Sequence, residues 1–124
     1  MSGARIPIVV HVEGLEQVEG ELHRFAAPLT VEEVVKRLPI EGFVARWQNA
    51  VYIITEIRRG VEKSVTKLEK GDIFYWSPEQ ALGIALSQHA APSQTIKIGS
   101  VGKGADEISK ARVGAMMRIF SKTV

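Results

Sequence analysis

The stretch Gly71-Asp72-Ile73-Phe74-Tyr75-Trp76-Ser77-Pro78-Glu79-Gln80-Ala81-Leu82-Gly83-Ile84-Ala85-Leu86-Ser87 carries two β-patterned runs with turn-forming residues between them. Residues 73–76 and 81–87 flank Ser77-Pro78-Glu79-Gln80, so they are expected to be neighbouring strands. Successive side chains on a strand point to opposite faces. Leu82, Ile84 and Leu86 therefore share one face, and Ala81, Gly83 and Ala85 share the other. The large face belongs to a core, while the small face lets a backbone, a helix or a ligand come close. On the preceding strand Phe74 and Trp76 share a face and Tyr75 takes the opposite one. With a single core face to fill, neighbouring rings cannot both be core, and at least one is expected to line a surface or cleft.

Outward from this pair the alternation recurs. In Arg5–Val12, Ile6, Ile8, Val10 and Val12 alternate with Pro7, Val9 and His11, which predicts a strand. Pro7 has no amide hydrogen to donate, so the strand, or at least its start, is expected at a sheet edge. Gly14 and Gly20 bracket a turn, after which residues 21–25 return as a second strand. Thr30-Val31-Glu32-Glu33 has the form of a capping box. Val31, Val34, Val35 and Leu38 then fall at i, i+3, i+4 and i+7, so a helix is expected from Thr30 to Pro39, covering a sheet. Residues 43–48 and 51–57 make a second hairpin around Asn49-Ala50, and 88–94 reads as a loop. Residues 95–101 form a strand, 105–111 a short helix entered through Gly102-Lys103-Gly104, and 113–121 a final strand. The sum is a mainly β protein, one domain over residues 1–124, with about eight strands and two short helices. Its largely antiparallel sheet is expected to close on itself as a barrel.

Composition narrows the chemistry. A 124-residue chain with 45% hydrophobic and 24% charged residues suits one soluble globular domain. Its lack of cysteine excludes disulfides, thiolate nucleophiles and cysteine-based zinc sites. No apolar run approaches the ~20 residues of a membrane span, and Met1-Ser2-Gly3-Ala4-Arg5 has no long hydrophobic segment, so a cytoplasmic protein with no membrane partner is expected. The net charge is only +2, with Lys and Arg scattered, which argues against nucleic acid. Asn49 is the sole asparagine, a scarcity in keeping with a thermophilic source. His11, His23 and His89 are dispersed, without metal-ligand spacing, and no metal is expected. Gly99-Ser100-Val101-Gly102-Lys103-Gly104 lacks the G-x-x-x-x-G-K-[ST] pattern of a phosphate loop, and no nucleophile elbow occurs. No cofactor is implied.

Residues 71–82 resemble the G-D-[IV]-x-Y-W-x-P-x-x-A-L signature of a small prokaryotic family with a cyclophilin-like fold. Trp47-Gln48-Asn49-Ala50-Val51-Tyr52 resembles that family's W-x-x-x-[IV]-Y marker. The likeness runs from about Arg5 to Phe120 and implies a closed barrel of about eight strands with a helix at each end. The family brings no established activity with it. Cyclophilins proper are peptidyl-prolyl cis–trans isomerases whose groove offers an arginine to the twisted amide. Phe43-Val44-Ala45-Arg46 resembles the strand that carries that arginine, with altered spacing and without the Q-G-G-D-F stretch that follows it.

These readings converge on a short set of candidates. Arg46 is the candidate catalytic residue, able to donate to an amide nitrogen or a ligand carboxylate. Trp47, Tyr52, Tyr75 and Trp76 are candidate walls of a cleft for a prolyl ring or a flat small molecule. His89, in the loop after the small-faced strand, is the best-placed acid or base. The expected function is binding of a small organic or peptide ligand. The alternatives are a metal-free enzyme such as a peptidyl-prolyl isomerase, and a structural subunit that pairs as a homodimer across its edge strand and exposed rings.

Overall fold

The computed structural model describes residues 4–60 and 62–122, so the expectations that concern residues 1–3 fall outside it. Among the described residues, the chain runs through β1 (Arg5–Val12), β2 (Val18–His23), α1 (Pro28–Arg37), β3 (Ile40–Phe43), β4 (Ala45–Trp47), β5 (Ala50–Ile54), β6 (Lys67–Leu68), β7 (Asp72–Trp76), β8 (Ala81–Ala85), β9 (His89–Ala90), β10 (Thr95–Ser100), α2 (Ala105–Ile108) and β11 (Met116–Ser121). Nine strands form one sheet in the order β3-β11-β1-β2-β10-β7-β8-β5-β4. All its ladders are antiparallel. The remaining two, β6 and β9, make a separate ribbon. The mainly β, antiparallel expectation is met, with nine strands in the sheet rather than about eight.

The additional strand comes from the predicted run 43–48, which divides at Val44. Val44 donates to Ala115 O at 2.8 Å and accepts from Gly114 N at 2.8 Å, so the chain leaves β11 there and continues as β4 alongside β5. The two terminal strands of the sheet order are thus consecutive in the chain. Gly42 of β3 lies so near β5 that a β-carbon on it would come 3.0 Å from Ile53 Cβ. No ladder joins the sheet's two ends among the described residues. Pro7 is accommodated by stagger. The β11 register begins at Ile8↔Ser121, so Pro7 lies just past the ladder, where its carbonyl still accepts from Lys122 N at 3.2 Å and its missing amide forfeits only the reciprocal bond at the strand's end.

Inward-facing Ile8, Val10, Leu22, Val51, Ile53, Ile73, Tyr75, Leu82, Ile84, Ile96 and Ile98 are buried in one cluster with Val31 and Val34 of α1 and Ile108 of α2. Each such side chain contributes about 1.5–3 kcal/mol by leaving water. The helix starts differently from the expected capping box. Its N-cap is Ala27, followed by Pro28, whose fixed φ suits the first helical position, and Thr30 lies buried inside the first turn. The first-turn donors go instead to a distant carboxylate. Glu62 accepts from Leu29 N at 3.1 Å, and its other oxygen accepts from Thr30 N and Thr30 Oγ1, each at 3.0 Å. Burial pushes the Glu62 carboxyl upward, but these bonds and the charge of Arg59 outweigh it and hold the group below its ordinary value.

Candidate ligand-binding face

The register of β4, β5, β8 and β7 explains why the small residues of β8 exist. Tyr52 and Phe74 both pair with Gly83, Ala50 pairs with Trp47 and Ala85, and Trp76 pairs with Ala81. Alternation places these residues on the outer side of the sheet, opposite the main core. Ala50, Ala81, Gly83 and Ala85 make a low floor on which rings can lie. The ring of Phe74 occupies the space over Gly83, where a β-carbon would come 2.8 Å from Cε1 and Cε2 and closer still to Cζ.

Phe74 is buried with Ala50, Leu68 and Ala85 in a second, smaller cluster, and Trp47, Val65, Trp76 and Ala91 pack against it. The β6–β9 ribbon supplies part of this layer through Lys67↔Ala90 and Leu68↔His89. Val65 N to Thr95 O and Ala91 N to Thr66 O, both 2.9 Å, hold it in place. The sheet therefore has apolar packing on both sides at β7. This corrects the expectation that neighbouring rings cannot both be core: Phe74 is 2% exposed and Tyr75 0%.

Of the six candidates, the structure brings three together. The indoles of Trp47 and Trp76 are stacked, with centroids 6.0 Å apart and planes inclined by 11°. The His89 ring meets Trp47 edge-on at 5.8 Å and 68°. Both indoles and the imidazole are half-buried. Trp76 Nε1 donates to Ser93 O at 3.0 Å, which fixes its ring plane. His89 Nδ1 lies 2.7 Å from Ser87 O, and since a carbonyl only accepts, that nitrogen carries the proton. Its Nε2 is buried, with no hydrogen-bond partner among the described residues. Tyr52, half-buried on the same face, lies two ladder positions beyond Ala50 and Trp47.

The other two candidates point elsewhere. Tyr75 is directed into the main core, where its hydroxyl donates to Ile57 O at 2.7 Å. It anchors the segment after β5 and is not exposed to a cleft. Arg46, on the strand face opposite Trp47, donates from Nη2 to Ser109 O and Ala111 O, both at 3.0 Å. Its guanidinium ties β4 to the end of α2. Sequence reasoning missed Phe74 and Leu68 as the supports of the face. The run of small residues in β8 was the signal for Phe74, while the two-residue β6 offers no period that could have revealed Leu68.

A wider hollow of about 430 Å³, lined by Arg37, Glu56, Arg58 and Gln80, lies where the chain leaves β5 and enters β8. It is polar and shares no residue with the aromatic face. No helix among the described residues is long and apolar enough to cross a membrane, and they hold no group of three or more His, Cys, Asp or Glu placed for a metal ion.

The chain is thus an antiparallel sheet with helices α1 and α2 packed on its core and an aromatic face outside. The sequence profile described as Cyclophilin-like matches residues 5–119, and the chain belongs to that family. Among solved structures it is similar to the hypothetical protein AF2241 from Archaeoglobus fulgidus, with 22% identity, 98% of each chain covered and a TM-score of 0.78. It is also similar to McbB in complex with tryptophan, with 17% identity and a TM-score of 0.75. That likeness covers 94% of this chain but 45% of McbB, so the chain spans less than half of that protein. At these identities the two likenesses bear on fold alone. No curated protein matches the chain in sequence.

Proposed function

We propose that this cyclophilin-like protein binds a small organic molecule or short peptide by laying a flat ring on the Trp47–Trp76 face. The observation that carries the reading is the pair of half-buried, near-parallel indoles, that of Trp76 tied to Ser93 O, beside a floor of Ala and Gly. Ring stacking adds about 0.5–1.5 kcal/mol beyond area burial, enough for weak capture by two preset rings. The sheet is read with it as a barrel closed through Val44, which makes the aromatic face part of a stiff wall. Isomerase action would need Arg46 beside these rings, and its two bonds to the end of α2 direct it away from them.

The test is side-chain NMR of the two indole N–H groups. Tryptophan, the ligand of McbB in its solved complex, is the first probe, followed by indole and an Xaa-Pro peptide. Saturable shifts of Trp47 and Trp76 that disappear in Trp47→Ala support the reading. Indole signals unmoved by all three probes count against it. A second reading, a homodimer, is favoured by Phe43 and Val113, 67% and 69% exposed, near the Val44–Gly114 bond. Sedimentation decides it, since a monomer at high concentration excludes it.

A further inference from the structure

The turn between β1 and β2 and the loop between α2 and β11 wall a pair of hollows built from other elements. Glu13, Gly14, Leu15, Lys110, Arg112 and Ala115 line one of about 430 Å³. Glu13 also borders the second, of about 230 Å³, together with His11, Met116 and Arg118. The walls are tied to the fold. Leu15 N donates to Val12 O and Glu13 N to Met116 O, both at 2.9 Å, and Gly114 N donates to Val44 O at 2.8 Å. Glu16 N donates to Glu107 Oε2 at 3.0 Å, joining the β1–β2 turn to α2, while Arg46 secures the end of α2 from the far side. The backbone of both walls is thereby held before a ligand arrives, leaving mainly the exposed Glu13 and Arg112 side chains to be ordered.

The charges are unevenly satisfied. Lys110 pairs with Glu107 at 3.0 Å and Arg118 with Glu41 at 3.3 Å. Among the described residues Glu13 and Arg112 form no ion pair, and Glu13 has only a 3.5 Å approach from the Met116 amide. One carboxylate and one guanidinium thus border the same hollow without meeting, with Leu15 and Ala115 beside them. Lys110 borders the same hollow but is engaged by Glu107, so a ligand carrying one positive and one negative group would satisfy both Glu13 and Arg112, whereas a neutral apolar molecule would cover both charges without pairing either. The larger hollow, about 430 Å³, lies in the lower part of the roughly 300–1,000 Å³ typical of drug-sized sites, and the smaller, about 230 Å³, falls below it, so a small ligand is indicated.

We infer that this double hollow binds a free α-amino acid with an apolar side chain. The ammonium pairs with Glu13, the carboxylate with Arg112, and the side chain extends past Leu15 and Ala115 toward Met116. The experiment is a backbone amide NMR titration of the intact protein with leucine, against N-acetyl-leucine and leucinamide, each of which lacks one of the two charges. Leucine is expected to shift the amides of residues 13–16 and 110–116 saturably in the millimolar range, and each derivative to bind about tenfold more weakly. Glu13→Gln and Arg112→Gln, both at exposed positions, are expected to keep a dispersed spectrum and to lose affinity to a similar degree. The inference is overturned if leucine leaves these amides unmoved, if either derivative binds as well as leucine, or if either variant binds leucine unchanged. The Trp47 and Trp76 indole signals report the aromatic face separately, so failure of one site is distinguishable from failure of the other.

Discussion

Replacing Gly83 with alanine tests whether the Phe74 ring fills the space over β8. An ideal β-carbon at position 83 would stand 2.8 Å from Phe74 Cε1 and Cε2, against the ~3.5–4.0 Å at which carbon atoms rest in contact. The ring is 2% exposed and enclosed by Ala50, Leu68, Ala85 and the two indoles, so it must move by about 1 Å into packed neighbours or swing outward. Overpacking of this kind costs about 1–3 kcal/mol. Chain entropy acts in the opposite direction. Gly83 has no positive φ, and at a site that tolerates it Gly→Ala stabilises by about 0.4–1 kcal/mol through the unfolded state. The net expectation is destabilisation of about 1–2 kcal/mol, a fall in Tm of roughly 4–8 °C for a chain of this length. Thermal unfolding measures it, and near-UV circular dichroism should change as well, because Trp47 and Trp76 pack against the displaced ring. Phe74→Leu in the Gly83→Ala background should recover part of the loss by shortening the offending ring. A Gly83→Ala protein as stable as the wild type, with an unchanged near-UV spectrum, would refute the reasoning.

Other perturbations address the helix start and the strand arginine. Glu62→Ala removes the acceptor of three first-turn donors and should cost about 1–2 kcal/mol near neutral pH, as loss of a helix cap does. Because the folded-state pKa is lowered, the wild-type advantage is complete above the ordinary carboxyl value of about 4.3 and shrinks as pH falls through the folded value, so paired denaturant melts from pH 7 downward should converge. Arg46→Met frees the Ser109 and Ala111 carbonyls and should cost about 1 kcal/mol in urea melts while leaving ligand-induced shifts at Trp47 intact. Trp76→Phe keeps a ring but loses the bond to Ser93 O. Weakened ligand shifts at Trp47 with little change in stability would mark the fixed indole plane as the feature that matters.

The main strands were legible because their pattern is local. Alternation in residues 5–12, 73–76, 81–87 and 95–101 appears in the structure as β1, β7, β8 and β10, with ends displaced by at most two residues. The short side chains of β8 were legible as a site of close approach for the same reason. Assignments that depended on distant partners were not. Thr30 looked like a cap because its own neighbours fit a capping box, but Pro28 starts the helix earlier and Glu62, more than thirty positions away, supplies the acceptor. Arg46 was a candidate for a groove from its strand position and its likeness to the cyclophilin arginine strand, but its acceptors lie at the end of α2, far away in the chain. Tyr75 and Phe74 could not be assigned between core and surface, because alternation says only that they face opposite ways. Burial of both requires a second layer, brought over β7 by the two-residue strands of a ribbon too short to show a period. Periodicity thus reveals which residues share a face. What covers that face depends on contacts between segments far apart in the chain, and these exist only once it is folded.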